Sequence, residues 1–146
     1  MVSSAFLTIM KRAFLSHRID FLDPADAKAN HEKFRKLLAA LDVEVISAAE
    51  SLDSEAQSTD AEIVEKGLVL LNSCDLIIFD CSIENWNYIG CIFEMAYAHR
   101  MHKPIVVYTG RTTNNRRPWL RYHATRVVVT EGDIVKAVSD LMGEAE

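Results

Sequence analysis

The chain has 146 residues, 49% apolar and 25% charged, with five glycines and three prolines. That balance excludes a disordered or low-complexity protein and fits one domain, residues 1–146, large enough to bury a real core. The net charge of −5 speaks against a general nucleic-acid binder, and no run approaches the roughly eighteen apolar residues of a membrane span.

Met1 to Met10 is mildly apolar without a basic region before it, and reads as a short leader or the run-in to a strand rather than a signal peptide. Arg12-Ala13-Phe14-Leu15 forms a short first strand that ends in the polar loop Ser16-His17-Arg18. Pro24 and Asp26 precede a helix with Phe34, Leu37, Leu38 and Leu41 at helical spacing. Val43 to Ile46 is a second strand, and the acidic stretch Ser47 to Ser58 a loop. Thr59 or Asp60 caps the next helix, along which lie Ile63, Gly67, Leu68, Leu70 and Leu71. Leu76 to Phe79 is a continuous apolar run of the kind buried on both faces of a parallel sheet. Gly90 to His102 is helical, Pro104 to Tyr108 a fourth strand, Arg111 to Pro118 a loop and Val127 to Val129 a fifth strand. Gly132 to Met142 closes the chain as a helix.

Five strands alternating with helices predict an α/β fold, a three-layer, doubly wound, five-stranded parallel sheet of flavodoxin-like or Rossmann-like type. Ligands in such sheets sit beyond the carboxyl ends of the strands, near the topological switch point. That rule nominates the loops after Phe14-Leu15, after Phe79-Asp80 and after Tyr108.

Cys74, Cys81 and Cys91 have neither a disulfide-framework nor a zinc spacing, and their apolar context fits buried thiols in a reduced, cytoplasmic protein. No metal or other cofactor is expected. Charge is unevenly spread. Glu44 to Glu94 holds eleven acidic residues and one basic residue, Lys66, whereas Met95 to Thr130 holds no Asp or Glu and seven Lys or Arg. The basic stretch suits a phosphate or polyanion, or pairs with the acidic half within or between subunits.

Glu94 stands out because a carboxylate is costly among Ile92, Phe93, Met95 and Ala96. Near the start of a helix its ionised form is favoured by the helix dipole, which would make it a nucleophile at the rim of the sheet. The alternative is a glutamate that caps backbone amides or pairs with an arginine.

The segment Asp75-Leu76-Ile77-Ile78-Phe79-Asp80-Cys81-Ser82, the loop to Tyr88, Gly90-x-x-x-Glu94-x-Ala96-x-Ala98 and Lys103-Pro104-Ile105-Val106 resembles the nucleoside 2-deoxyribosyltransferase family, including its nucleotide N-glycosidase relatives. The likeness extends to Phe14-Leu15-Ser16, similar to the family's first strand. It implies that Glu94 matches the nucleophile that attacks the anomeric carbon and that Gly90 matches the first glycine of the helix start; the other two glycine positions are Ile92 and Ala96 here. Where the family commonly carries an Asp that assists proton transfer, this chain has Gly67, so the resemblance leaves the proton to Asp80, Asp60 or His17.

Breaking an N-glycosidic bond passes through an oxocarbenium-like state that a carboxylate stabilises and can trap covalently. The expected substrate is a small-molecule nucleoside or nucleotide, a 2′-deoxynucleoside or its 5′-monophosphate, in a homo-oligomer; membrane and nucleic acid are not expected partners. Ser16, His17, Arg18 and Ser82 are candidates to hold sugar and phosphate, with Phe14, Tyr88 and Gly90 beside them. Trp86, Asn87 and Tyr88 either stack on the base or are structural. Asp80 either contacts ligand or caps the next turn, and Asp75 orders the entry to its strand. Pro118 to Leu120 with Tyr122 and His123 is a candidate subunit interface; His31, His99 and His102 read as surface histidines. Two rival classes stay open: a nucleotide-binding or sensing module without turnover, and a flavodoxin-like signalling protein that docks through Arg111 to Arg126.

Overall fold

Alternating apolar runs and amphipathic segments fold as a parallel sheet sandwiched between helices. The computed structural model describes residues 11–51 and 58–144; the Met1 to Met10 reading and the middle of the Ser47 to Ser58 loop lie outside them. The strands are β1 (Lys11–Ser16), β2 (Val43–Ile46), β3 (Leu76–Asp80), β4 (Ile105–Tyr108) and β5 (Arg126–Val128). The helices are α1 (Pro24–Leu38), α2 (Asp60–Asn72), α3 (Ile89–Arg100), α4 (Pro118–His123) and α5 (Glu131–Glu144). All pairings are parallel, in the order β2-β1-β3-β4-β5. The chain therefore reverses direction across the sheet between β1 and β3, the switch point of a flavodoxin-like fold.

Side-chain alternation divides the core into two layers. Ala13, Leu15, Leu76, Ile78 and Val106 point to one face, where α1 and α5 cover them with Phe34, Leu38, Ile134, Val138 and Leu141. Phe14, Ile46, Ile77, Phe79, Ile105 and Val107 point to the other, under Leu71 of α2, Cys91, Met95 and Ala98 of α3 and Leu120 of α4. Every residue of β3 is buried. Asp75 locks the entry: its Oδ2 accepts from Arg12 N at 2.9 Å and its own N–H donates to Arg12 O at 2.8 Å.

Helix ends follow their capping chemistry. Asp23 accepts from Ala25 N, so α1 starts at Pro24 rather than after Asp26. Thr59 and Glu62 form a capping box at the start of α2. Two expectations are corrected. His31 is not a surface histidine but a buried one, hydrogen-bonded through Nε2 to Val45 O at 2.8 Å. The loop expected over Arg111 to Pro118 ends one residue earlier, because Pro118 opens the six-residue α4, with Leu120 as its buried anchor. The three cysteines are buried and unpaired, and no helix among the described residues is long and apolar enough to cross a membrane.

Candidate active site

Ser16 ends β1, two residues beyond Phe14, so alternation turns its hydroxyl toward α3. There Ser16 Oγ donates to Glu94 Oε1 at 2.7 Å, across 78 residues of sequence. Glu94 lies in the second turn of α3, which starts without a side-chain cap. Among the described residues no arginine pairs with it, and its carboxylate caps no helix end. Both bland roles considered for it are therefore absent.

The pair stands at a cavity of about 420 Å³ formed between the β1–α1 loop, α2 and the start of α3. Arg18, Asp20, Trp86, Tyr88, Glu94 and Tyr97 bring its polar and aromatic groups, and Ile63, Val64 and Leu68 an apolar wall. The Arg18 guanidinium carbon lies over the Trp86 ring, 3.7 Å from its centre, a cation–π contact in the cavity lining. Gly67 faces Glu94 directly: a Cβ there would stand 3.9 Å from Glu94 Oε2. Gly90 also lines the cavity, but a Cβ there would meet nothing within 4 Å.

Burial pushes the Glu94 carboxyl up to about 7; the hydrogen bond from Ser16 works against the rise and Asp20 adds to it. This overturns the expectation that the helix N-terminus keeps the group well ionised. Glu94 sits beyond the first turn, where the dipole has faded, and desolvation wins. The neighbouring Cys91 thiol is pushed far up by burial and by Glu94, and stays protonated, so it does not compete as a nucleophile.

The other site candidates divide by strand face. Asp80 follows Leu76 and Ile78 on the α1 and α5 side, opposite to Glu94. Its Oδ1 accepts from Ser82 N and Oγ, at 3.2 and 2.6 Å, and its Oδ2 from Asn30 Nδ2 at 3.1 Å. Asn30 Nδ2 also reaches His17 Nδ1 at 3.0 Å, and His17 Nε2 meets Ser47 Oγ at 2.7 Å. Burial, then His31, hold His17 down to about 4, so the ring is neutral near pH 7. With Nδ1 accepting from Asn30, its proton lies on Nε2 and is donated to Ser47. His17 therefore lines the cavity as an uncharged ring with both nitrogens engaged.

The structure thus brings Ser16, His17, Arg18, Tyr88, Gly90 and Glu94 to one place. Phe14 does not line the cavity; it is 1% exposed in the layer beneath α3. Ser82 and Asp80 hold each other one step away, and Asp60 is exposed at the first turn of α2. Tyr88 is buried edge-on to Phe79, and its hydroxyl accepts from Ile83 N. Asp20, Asn30 and Tyr97 carried no signal in sequence, since each depends on how a loop or helix face is turned.

A family model described as nucleoside 2-deoxyribosyltransferase matches residues 14–142. Among solved structures, the chain is similar to a 2-deoxyribosyltransferase from Bacillus psychrosaccharolyticus, at 18% identity and a TM-score of 0.64 over 85% of this chain and 90% of that one. It is also similar to the CMP N-glycosidase of Clostridium botulinum, at 18% identity and a TM-score of 0.59 over 90% and 99%. A Vibrio cholerae chemotaxis protein has a TM-score of 0.56 at 16% identity over 91% and 99%. At such identities the structural likenesses show the fold alone. Comparison with curated proteins gives no match. The family match runs from Phe14 in β1 to Met142 in α5, through the whole sheet and both sides of the cavity, and on it the chain belongs to the nucleoside 2-deoxyribosyltransferase family.

Proposed function

We propose that the protein cleaves or exchanges the N-glycosidic bond of a 2′-deoxynucleoside or its 5′-monophosphate, with Glu94 as nucleophile. The observation that carries this reading is the Ser16–Glu94 pair, a carboxylate held by one hydrogen bond at an aromatic-lined cavity at the sheet's switch point. Ser16 fixes Oε1 and leaves Oε2 on the side of Gly67. As positive charge develops on the sugar, the ionised form of Glu94 is favoured, and the carboxylate bonds to C1′. Arg18, over Trp86, is suited to a phosphate or a base in the cavity. Asp80, through Asn30 and Ser82, acts as a positioning residue for the loops after β1 and β3.

An exposed apolar face supports a homo-oligomer: Ile89, Ile92, Phe93 and Tyr97 of α3 and Trp119 and Tyr122 of α4 are all exposed. The unpaired buried thiols fit a cytoplasmic setting.

Incubation with a panel of deoxynucleosides and their 5′-monophosphates, with and without a free acceptor base, tests the reading. Base release is expected, and a new nucleoside in the presence of acceptor marks transfer; binding without base release would favour the second reading, a nucleotide-binding module, which Gly67 in place of an acid supports. The pH profile gives a sharper check. A carboxylate raised to about 7 must lose its proton to act, so kcat/KM rises with pH through about 7. Ser16→Ala removes the hydrogen bond that stabilises the ionised form, and should move that limb about 1–2 pH units higher. A limb that stays in place in Ser16→Ala would separate Ser16 from Glu94 in function.

A further inference from the structure

Cleavage of an uncharged base needs a proton for the departing nitrogen, and the position facing Glu94 on α2 is Gly67. The cavity holds a second carboxylate elsewhere. Asp20 lies in the β1–α1 loop and lines the cavity with Glu94, close enough to act on it electrostatically. Its place is set by a tight turn in which Leu22 N donates to Ile19 O at 3.1 Å and Phe21 takes a left-handed backbone, φ 59°. That conformation is costly for a bulky residue, and Phe21 gains no burial from it, being 98% exposed.

Resting on the reading of Glu94 as nucleophile, we infer that Asp20 is the acid and base of the reaction, a catalytic residue supplied by the β1–α1 loop in place of the acid absent at Gly67. The charged groups that line the cavity with it are Glu94 from α3 and Arg18 from its own loop; His17 is neutral. With the proton on Asp20, Glu94 attacks C1′ while the C1′–N bond breaks. The electron pair leaves on the base nitrogen, which takes the proton of Asp20. The Asp20 carboxylate then removes a proton from water or from the N–H of an incoming base. The oxygen or nitrogen so freed bonds to C1′, and the bond to Glu94 breaks and returns its electrons to that carboxylate.

The test compares 2′-deoxyguanosine with 7-methyl-2′-deoxyguanosine, whose cationic base departs without a proton. Asp20→Asn should lose about 100-fold or more in base release from the first, the scale of a general acid, and stay within about threefold of the unaltered protein on the second. Gly67→Asp added to Asp20→Asn should recover part of the loss on 2′-deoxyguanosine. Asp20 is exposed in a loop, so its substitution leaves the fold standing. Equal losses on both substrates, or no loss on either, would overturn the inference and leave the role of Glu94 standing. An unaltered protein that releases neither base would overturn the reading of Glu94 and this inference with it.

Discussion

Glu94→Gln should abolish base release, by roughly 10³-fold or more, the scale on which loss of a covalent nucleophile acts, while making the folded protein more stable above neutral pH. The two effects share one cause. The cavity raises the carboxyl to about 7 by burial, so the folded state resists ionisation that the unfolded chain accepts. Below the unfolded value both states are protonated and nothing is lost. As pH rises from there to about 7, only the unfolded state gives up its proton, and stability falls; above that the penalty is constant. At 1.36 kcal/mol per pH unit the penalty is about 3 kcal/mol, which glutamine escapes. Urea unfolding at pH 8 should show the variant more stable by roughly 2–3 kcal/mol, and the gain should vanish below about pH 4.5. Such a trade of stability for a charged group in a dry place is the mark of a functional site. A glutamine variant that retained activity, or gained no stability at pH 8, would show the carboxylate to be idle.

Phe14→Ala should destabilise the fold by about 3–5 kcal/mol, a large share of the 5–15 kcal/mol typical of a domain. Phe14 sits beside Glu94's strand partner Ser16, and its place in β1 suggests a substrate contact. The structure puts it instead in the layer beneath α3, packed with Phe79, Cys91 and Met95 and 1% exposed. Its effect on catalysis should therefore come through the fraction folded. Phe14→Leu keeps most of the volume and should cost about 1 kcal/mol with activity per folded molecule unchanged. Stability measured by urea titration beside base release separates the two roles. A Phe14→Leu variant of normal stability with a raised KM would make Phe14 a substrate contact after all.

The sheet was readable because each strand carried an unambiguous run: Val43 to Ile46 matches β2 residue for residue, and Leu76 to Phe79 lacks only Asp80 of β3. Strand alternation would also have paired Ser16 with α3 and set Asp80 on the other face, once the side of each helix was known. That knowledge is tertiary. The short α4 was missed because six residues with one buried anchor, Leu120, leave no period to detect. Asp20 was missed because a left-handed Phe21 turns the loop, and nothing in Ile19-Asp20-Phe21-Leu22 announces that conformation. The protonation of Glu94 was misjudged for a different reason. Helix position is visible in sequence, but the depth of burial that outweighs it depends on β1 and α2 closing over the carboxylate.

Gly67 joins these threads. Its lack of a side chain leaves the wall of α2 open in front of Glu94 Oε2, and in the proposed reaction the acid for a neutral leaving base comes from another element. The β1–α1 loop, which carries Arg18 and Asp20 into the same cavity, is the element placed to supply it.

The most direct measurement is the mass of the protein quenched during turnover of a 2′-deoxy-2′-fluoroarabino nucleoside, whose fluorine slows breakdown of a glycosyl-enzyme more than its formation. A protein heavier by one fluorinated sugar, mapped to the peptide that contains Glu94 and absent from Glu94→Gln, is the expected result. Base release with no sugar on the protein, or with the sugar on another residue, would contradict a covalent role for Glu94.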